Sequence, residues 1–393
     1  MLQKYPIGLQ RFREIREGGY VYIDKTEAIH QLVKTGKYYF LSRPRRFGKS
    51  LLVDTIEELF RGSKALFEGL WIHDKWSWIQ SSPVIHFDFS ELPYKEEGLN
   101  EAITYGLNIN AKKYGVALTG NSIKVQFREL IESLSVMGNV VILIDEYDKP
   151  IIDFLDEPEQ VEINRSIMKS FYSILKGSDK YIRFLLITGV SQFSQVSIFS
   201  DLNNLDNITL APQYGGIIGI TQQELEENFV KEIARLQQGR PNILSHIKDW
   251  YNGYTWNMQT WVYNPFSLLK FMKSPVFHNY WYATGTPTFL LRLLQKNNFI
   301  EVEGLRMGSL SLSSFNTDNP DPGALLFQTG YLTIKNITET TDGPLYELGY
   351  PNREVKASLL DGLLSIYRGK EGGDNLALDP GLKAALSTGM FPA

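Results

Sequence analysis

Tyr38-Tyr39-Phe40-Leu41-Ser42-Arg43-Pro44-Arg45-Arg46-Phe47-Gly48-Lys49-Ser50-Leu51-Leu52-Val53-Asp54-Thr55-Ile56 is an apolar run that breaks at Arg43 and resumes as a helical pattern after Gly48-Lys49-Ser50. The strand-like run before the break and the helical spacing of Leu51, Leu52, Ile56 and Leu59 after it place the basic segment between a strand and a helix. A loop there can surround phosphates with backbone N–H groups and a helix N-terminus. The pattern is that of a Walker A loop, G-x-x-x-x-G-K-[ST], except that Arg43 stands at the first glycine. Lys49 is expected to reach the β- and γ-phosphates and Ser50 to ligand Mg²⁺.

Further on, Val140-Val141-Ile142-Leu143-Ile144 runs directly into Asp145-Glu146. An uninterrupted apolar run, mostly β-branched and bounded by Gly138-Asn139 and an acidic pair, reads as a parallel strand buried on both faces. Carboxylates at the C-terminal end of such a strand lie where α/β sheets hold ligands. Asp145 is expected to hold Mg²⁺ through water, and Glu146 to polarise the water that attacks the γ-phosphate.

Strand candidates recur at 37–42, 83–89, 139–145, 182–188 and 215–219, with helical patterns between them. Their alternation predicts an α/β fold, a parallel sheet covered on both faces. The strand at 83–89 intervenes in sequence between the two motifs. With the glutamate after Asp145, it points to the additional-strand class of P-loop ATPases, in which another strand separates the phosphate loop from the acidic pair. The fourth strand ends in Thr188 and Ser191, hydroxyls placed to orient the attacking water or sense the γ-phosphate, or to form a turn. Asp88 and Ser90 end the second strand as supporting groups or as a cap.

Residues 1–220 form the expected ATPase core. Thr221-Gln222-Gln223-Glu224 reads as a capped helix start and Asn264-Pro265 as another helix entry, so 221–301 is expected to be a helical lid. Residues 302–368 read as a winged-helix-like unit: helical pieces, then a β-hairpin with arms Leu325–Ile334 and Leu345–Tyr350, then a helix from Pro351-Asn352 to 367. Residues 369–393 read as a linker or tail.

With 40 basic and 44 acidic residues, the 393-residue chain carries no global charge that would mark a nucleic-acid or membrane binder. It contains no cysteine, which excludes disulfides and thiolate metal sites. The five histidines, His30, His73, His86, His246 and His278, show no metal spacing. No stretch approaches the roughly 18 apolar residues of a membrane helix, and the N-terminus lacks an apolar signal core, so a cytoplasmic location is expected.

The residues quoted so far, with Tyr5-Pro6-Ile7-Gly8, Tyr22-Ile23-Asp24-Lys25-Thr26, Asp145-Glu146-Tyr147-Asp148-Lys149-Pro150, Ile187-Thr188-Gly189-Val190-Ser191, Leu202-Asn203-Asn204-Leu205, Tyr251-Asn252-Gly253-Tyr254 and Thr284-Gly285-Thr286-Pro287-Thr288, resemble the bacterial predicted AAA-ATPase (AAA-ATPase-like) family. That family is allied to the STAND ATPases, the signal-transduction ATPases with numerous domains. The resemblance extends to about residue 368. It implies that the arginine-rich form of the loop is normal and that Arg43, Pro44, Arg45, Arg46, Phe47, Gly48, Lys49, Ser50 and Leu51 bind nucleotide. The three arginines would stand beside the triphosphate, or pair with Asp148 or Glu146. The segment through Asp24-Lys25-Thr26, by itself an edge strand and turn, would pack over the adenine. Where relatives often carry a basic residue after the fourth strand, this chain has Gln192.

Many relatives continue into a PD-(D/E)xK nuclease-like domain, whereas this chain stops at Ala393, either shortened naturally or with a following domain removed. Pro320-Asp321 and Glu354-Val355-Lys356 match that nuclease motif literally. Glu354, however, follows a helix cap at Asn352 and opens a helical pattern, so the match is a decoy. The expected activity is ATP hydrolysis with Mg²⁺ driving a molecular switch. A nucleotide sensor without turnover and a winged-helix nucleic-acid binder are the alternatives. ATP and ADP are the expected ligands, with a homo-oligomer or a protein partner possible and no membrane partner.

Overall fold

Four of the apolar runs become the body of one sheet: β1 (Tyr38–Ser42), β2 (Val84–Asp88), β3 (Val140–Asp145) and β4 (Ile182–Gly189). Every residue of β1 and β3 is buried, because helices cover both faces and the strands need no polar alternation. The computed structural model describes residues 3–192, 204–281, 302–313 and 321–367, with Ile198, Phe199, Leu202, Leu290 and Leu294 between these stretches. The tail from residue 369, Asn203, Thr284–Thr288, Pro320 and the rest of the expected helical region at 282–300 lie outside the described residues.

The sheet is parallel throughout, in the order β2-β3-β4-β1 with a short fifth strand beside β1, and has the form of a P-loop NTPase-like core. The strand separating β1 from β3 in space is β4, whereas β2, which intervenes in sequence, lies at the edge. The fifth strand is not the expected 215–219 but the two-residue β5 (Asp206–Asn207), paired with Tyr39 and Phe40. Gly215-Gly216-Ile217-Ile218-Gly219 instead makes turns: Gly219 takes φ 84°, and its N–H is held by the carbonyl of Phe47 (3.2 Å). Three glycines in five residues favour such a path over a strand.

After β5 the chain enters short helices. Thr221 and Glu224 form a reciprocal capping box at Gln222–Asn228, and Asn264 caps Pro265–Lys273 with proline at its first position. A three-stranded antiparallel sheet follows, ordered Leu305–Gly308, Gly343–Gly349, Thr333–Thr340. The expected first hairpin arm is therefore half wrong, since Leu325–Thr329 belongs to the helix Pro322–Thr329. Asp321 caps that helix by accepting from the N–H of Ala324 (3.0 Å), and left-handed Gly330 ends it. Asn352 caps the helix Arg353–Tyr367 through the N–H of Val355 (3.1 Å), as its sequence indicates. Among the described residues no helix is long and apolar enough to cross a membrane.

Candidate functional site

At the C-terminal edge of the sheet the chain leaves β1 and turns through Arg43–Gly48 into the helix Lys49–Phe60. Two left-handed residues make that turn, Arg46 (φ 69°) and Gly48 (φ 100°), the first an uncommon conformation for a residue with a side chain. Gly48 supplies no capping side chain. The first N–H with an intrahelical partner is that of Leu52, on the carbonyl of Gly48 (2.9 Å), which leaves those of Lys49, Ser50 and Leu51 for something else. These residues line a cavity of about 390 Å³.

Lys49 is buried beneath the loop. Its Nζ donates to the carbonyls of Arg43 (3.0 Å) and Pro44 (3.3 Å) and lies 3.5 Å from Glu146 Oε1. Asp145 is buried beside it, accepting at Oδ1 from the N–H of Glu146 (3.0 Å) and from the Thr188 hydroxyl, with the Ser50 hydroxyl also bonded to the carboxylate. Burial and the neighbouring Glu146 hold the Asp145 carboxyl above its ordinary range, against the pull of Lys49. Glu146 itself adopts φ 52°, a left-handed conformation that turns the chain away from the strand direction at the acidic pair. Asp145, Glu146, Lys49 and Ser50, drawn from two distant segments, thus meet at one edge of the sheet.

The hydroxyls ending β4 are taken by carboxylates rather than aimed at free space. Thr188 donates to Asp145, and Ser191 donates to Asp148 Oδ2 (2.6 Å). The same oxygen accepts from the N–H groups of Val190 (3.0 Å) and Ser191 (2.7 Å). Of the two hydroxyl residues only Ser191 lines the cavity. Asp148 is therefore the buried clamp that fixes the end of β4 against the end of β3. The sequence presented it merely as a possible arginine partner, and the described ion pairs join it to no arginine. Gln192 also faces inward, its N–H on Gln328 Oε1 (2.9 Å) and its own Oε1 on Asn207 (2.8 Å).

The three loop arginines separate. Arg45 and Arg46 line the cavity, and the Arg46 guanidinium lies 5.1 Å from the ring centre of Phe266. Arg43, expected beside the phosphates, instead points behind the loop and is buried. It donates to the carbonyls of Ser42 (2.9 Å) and Thr209 (2.8 Å) and stacks 4.0 Å from the ring centre of Trp256. Burial draws its guanidinium down to about 9. At the position of the missing glycine it acts as a bolt, holding β1 to the segment after β5. The sequence offers no sign of this, because Trp256 and Thr209 are remote from Arg43 along the chain.

A smaller cavity of about 100 Å³ adjoins the first across Gly48 and Leu51, with apolar walls from Pro6, Val21, Ile23, Phe47, Ile218 and Leu269. The expected N-terminal edge strand is reduced to an isolated bridge between Lys4 and Tyr20. Side chains fasten the segment instead. Asp24 accepts from Thr26 and from the N–H of Trp71, and Lys25 reaches Glu224 (2.5 Å) and the carbonyl of Gly216 (2.9 Å). Opposite the loop, the large cavity is closed by Phe266, Trp281, Leu325, Thr329 and Tyr331, none of which the sequence marked. Asp321 and Glu354 serve helices, the former as a cap and the latter within Arg353–Tyr367, so their nuclease-like spacing is a coincidence of sequence.

A parallel sheet of this order, with a basic glycine-lysine-serine turn facing an acidic strand end, defines a P-loop NTPase-like protein. The chain belongs to the predicted AAA-ATPase family, whose model matches residues 6–199. It is 43% identical over 371 residues to an uncharacterized protein in the vnfD 5' region of Azotobacter chroococcum mcd 1, an alignment that covers 93% of this chain and 70% of that protein. No solved structure matches the chain.

Proposed function

We propose that the protein binds ATP and hydrolyses it to ADP and phosphate, and that nucleotide state sets the placement of residues 221–301 and 302–368, as a helical lid and a winged-helix-like unit, over the core. The observation that carries this is the convergence of Lys49, Ser50 and Glu146 on a cavity entered by unpaired helix N–H groups, with Asp145 bonded to Ser50 just behind it. Lys49 and the N–H groups of Lys49–Leu51 hold the phosphates, helped by Arg45 and Arg46. The smaller apolar cavity takes the base. Ser50 and Asp145 offer the hard oxygen donors that suit Mg²⁺, which when bound neutralises charge building on the phosphates. Glu146, released from Lys49 as the phosphates take over that cation, accepts the proton of the attacking water.

Phosphate release from Mg²⁺-ATP, measured beside a direct ATP-binding titration, tests the reading. Glu146→Gln is expected to keep ATP binding and lower turnover by about 10²- to 10⁴-fold, the range for a positioned base. Lys49→Ala is expected to lose both. Wild-type turnover that survives Glu146→Gln sinks the assigned base, and absent ATP binding sinks the nucleotide site. The arginines provide a second check by calorimetry and thermal melting. Arg45→Ala and Arg46→Ala weaken ATP binding, whereas Arg43→Ala acts on stability, by about 3 kcal/mol from lost packing and lost carbonyl partners.

A further inference from the structure

Glu354, the glutamate of the decoy motif, is fully buried although it is a carboxylic acid on a helix remote in sequence from the loop. Its Oε1 accepts from the Ser267 hydroxyl (3.0 Å) and from the main-chain N–H of Trp281 (2.8 Å). The Trp281 indole Nε1 then donates to the carbonyl of Arg45, inside the phosphate loop (3.2 Å). The neighbouring loop residue is seated from the same side. Gly330, at φ 90°, lies so close to Pro44 that a Cβ on it would be 2.7 Å from the proline Cβ. Ser267 belongs to the helix Pro265–Lys273, whose first residues, Pro265 and Phe266, line the cavity. One acid therefore ties the C-terminal helix, the 265–273 helix and Trp281 together at the point where Trp281 grips the loop.

We infer that Trp281 and Glu354 are positioning residues for the phosphate loop, a clasp through which the C-terminal unit holds residues 44–45 in their nucleotide-binding form and slows nucleotide release. The inference rests on the nucleotide reading of the cavity. Nucleotide leaves faster when the clasp opens, because the carbonyl of Arg45 is then free to move and the wall formed by Trp281 and Tyr331 withdraws.

The clasp is also sensitive to proton concentration. The groups facing Glu354 are Tyr251, Tyr254 and Tyr280, and among the described residues no Lys, Arg or His forms an ion pair with it. On its own helix Arg353 is exposed and Lys356 lies over Tyr350. Burial without a counter-charge pushes the Glu354 carboxyl up to about 7. The closed form thus holds the proton more tightly than an opened, solvated one. Closure is favoured most below about pH 4.5, weakens as pH rises towards 7, and is flat beyond.

Release of a fluorescent ADP analogue, followed by stopped flow at pH 5 and pH 8, tests this on the whole chain. Trp281→Phe keeps an aromatic wall but loses the indole donor, and release is expected to be about fivefold faster, the equivalent of one hydrogen bond. Glu354→Gln keeps the acceptor and cannot ionise. It should lie close to wild type at pH 5 and release more slowly than wild type at pH 8. Release from Trp281→Phe at the wild-type rate, or an identical pH slope in wild type and Glu354→Gln, overturns the clasp while leaving the nucleotide site intact. Wild-type protein that fails to bind the analogue overturns the nucleotide reading and the clasp with it.

Discussion

Asp148→Ala should lower the stability of the protein by about 4 kcal/mol and loosen the end of β4. The carboxylate accepts three hydrogen bonds at Oδ2, from the N–H groups of Val190 and Ser191 and from the Ser191 hydroxyl, in a place closed to water. Removing it orphans all three donors at once, each at a cost of roughly 1 to 3 kcal/mol, less whatever local relaxation recovers. The carboxylate also carries its own penalty. Burial, with Glu146 near, pushes Asp148 from its ordinary 3.8 up to about 6. A carboxyl whose folded value is raised favours the folded state most when protonated. That contribution is complete below about pH 4, is lost as pH rises towards 6, and is flat beyond. Asp148→Asn, which cannot ionise, should therefore flatten the stability profile between pH 4 and 6, whereas Asp148→Ala lowers it everywhere. Urea unfolding across that pH range reads both effects. An alanine variant as stable as wild type would show that Val190 and Ser191 do not depend on the clamp.

The clamp marks where legibility in the sequence stops. Strands β1 to β4 could be read because each is a mostly apolar run long enough to cross a covered sheet, and the ends of two of them carry the acids and the loop. β5 could not, because two polar residues, Asp206 and Asn207, pair through their backbone alone and leave no pattern. The run Leu325–Thr329 looked like a strand since a short apolar stretch has no decisive period. The cap at Asp321 with Pro322, and the glycine at 330, were the better signals. In the candidate site, Lys49, Ser50, Asp145 and Glu146 were legible through spacing within one loop and one strand end. Arg43 was misplaced because its direction depends on Trp256 and Thr209, and Trp281 was missed because its partner is a loop carbonyl, which carries no side-chain signature. Local chemistry repeats along a chain, while tertiary contacts between a residue and a distant backbone atom do not.

Gly253→Ala should cost about 3 kcal/mol or more, the other large effect, and it should act by prising the C-terminal unit from the helices before it. Gly253 takes φ 99°, and a Cβ there would lie 2.1 Å from the carbonyl oxygen of Pro351, a backbone atom that cannot swing aside. Two further links hold the same seam. The Asn352 amide donates to the carbonyl of Asn252 (2.8 Å), and Thr255 and Thr333 exchange hydrogen bonds through the Thr333 hydroxyl (2.9 and 3.1 Å). The seam cannot admit a methyl group without separating Pro351 from Gly253. That movement strains Asn352, which also caps the helix carrying Glu354. Gly343→Ala provides the control, since Gly343 has φ 105° but an added Cβ would meet nothing within 4 Å. It isolates the cost of the left-handed backbone, about 1 kcal/mol. The excess in Gly253→Ala, read by urea unfolding with tryptophan fluorescence, measures the overlap. Equal losses in the two variants would mean that the seam yields freely. A larger loss at Gly253, with faster nucleotide release, would mean that the grip on the phosphate loop is transmitted through this seam.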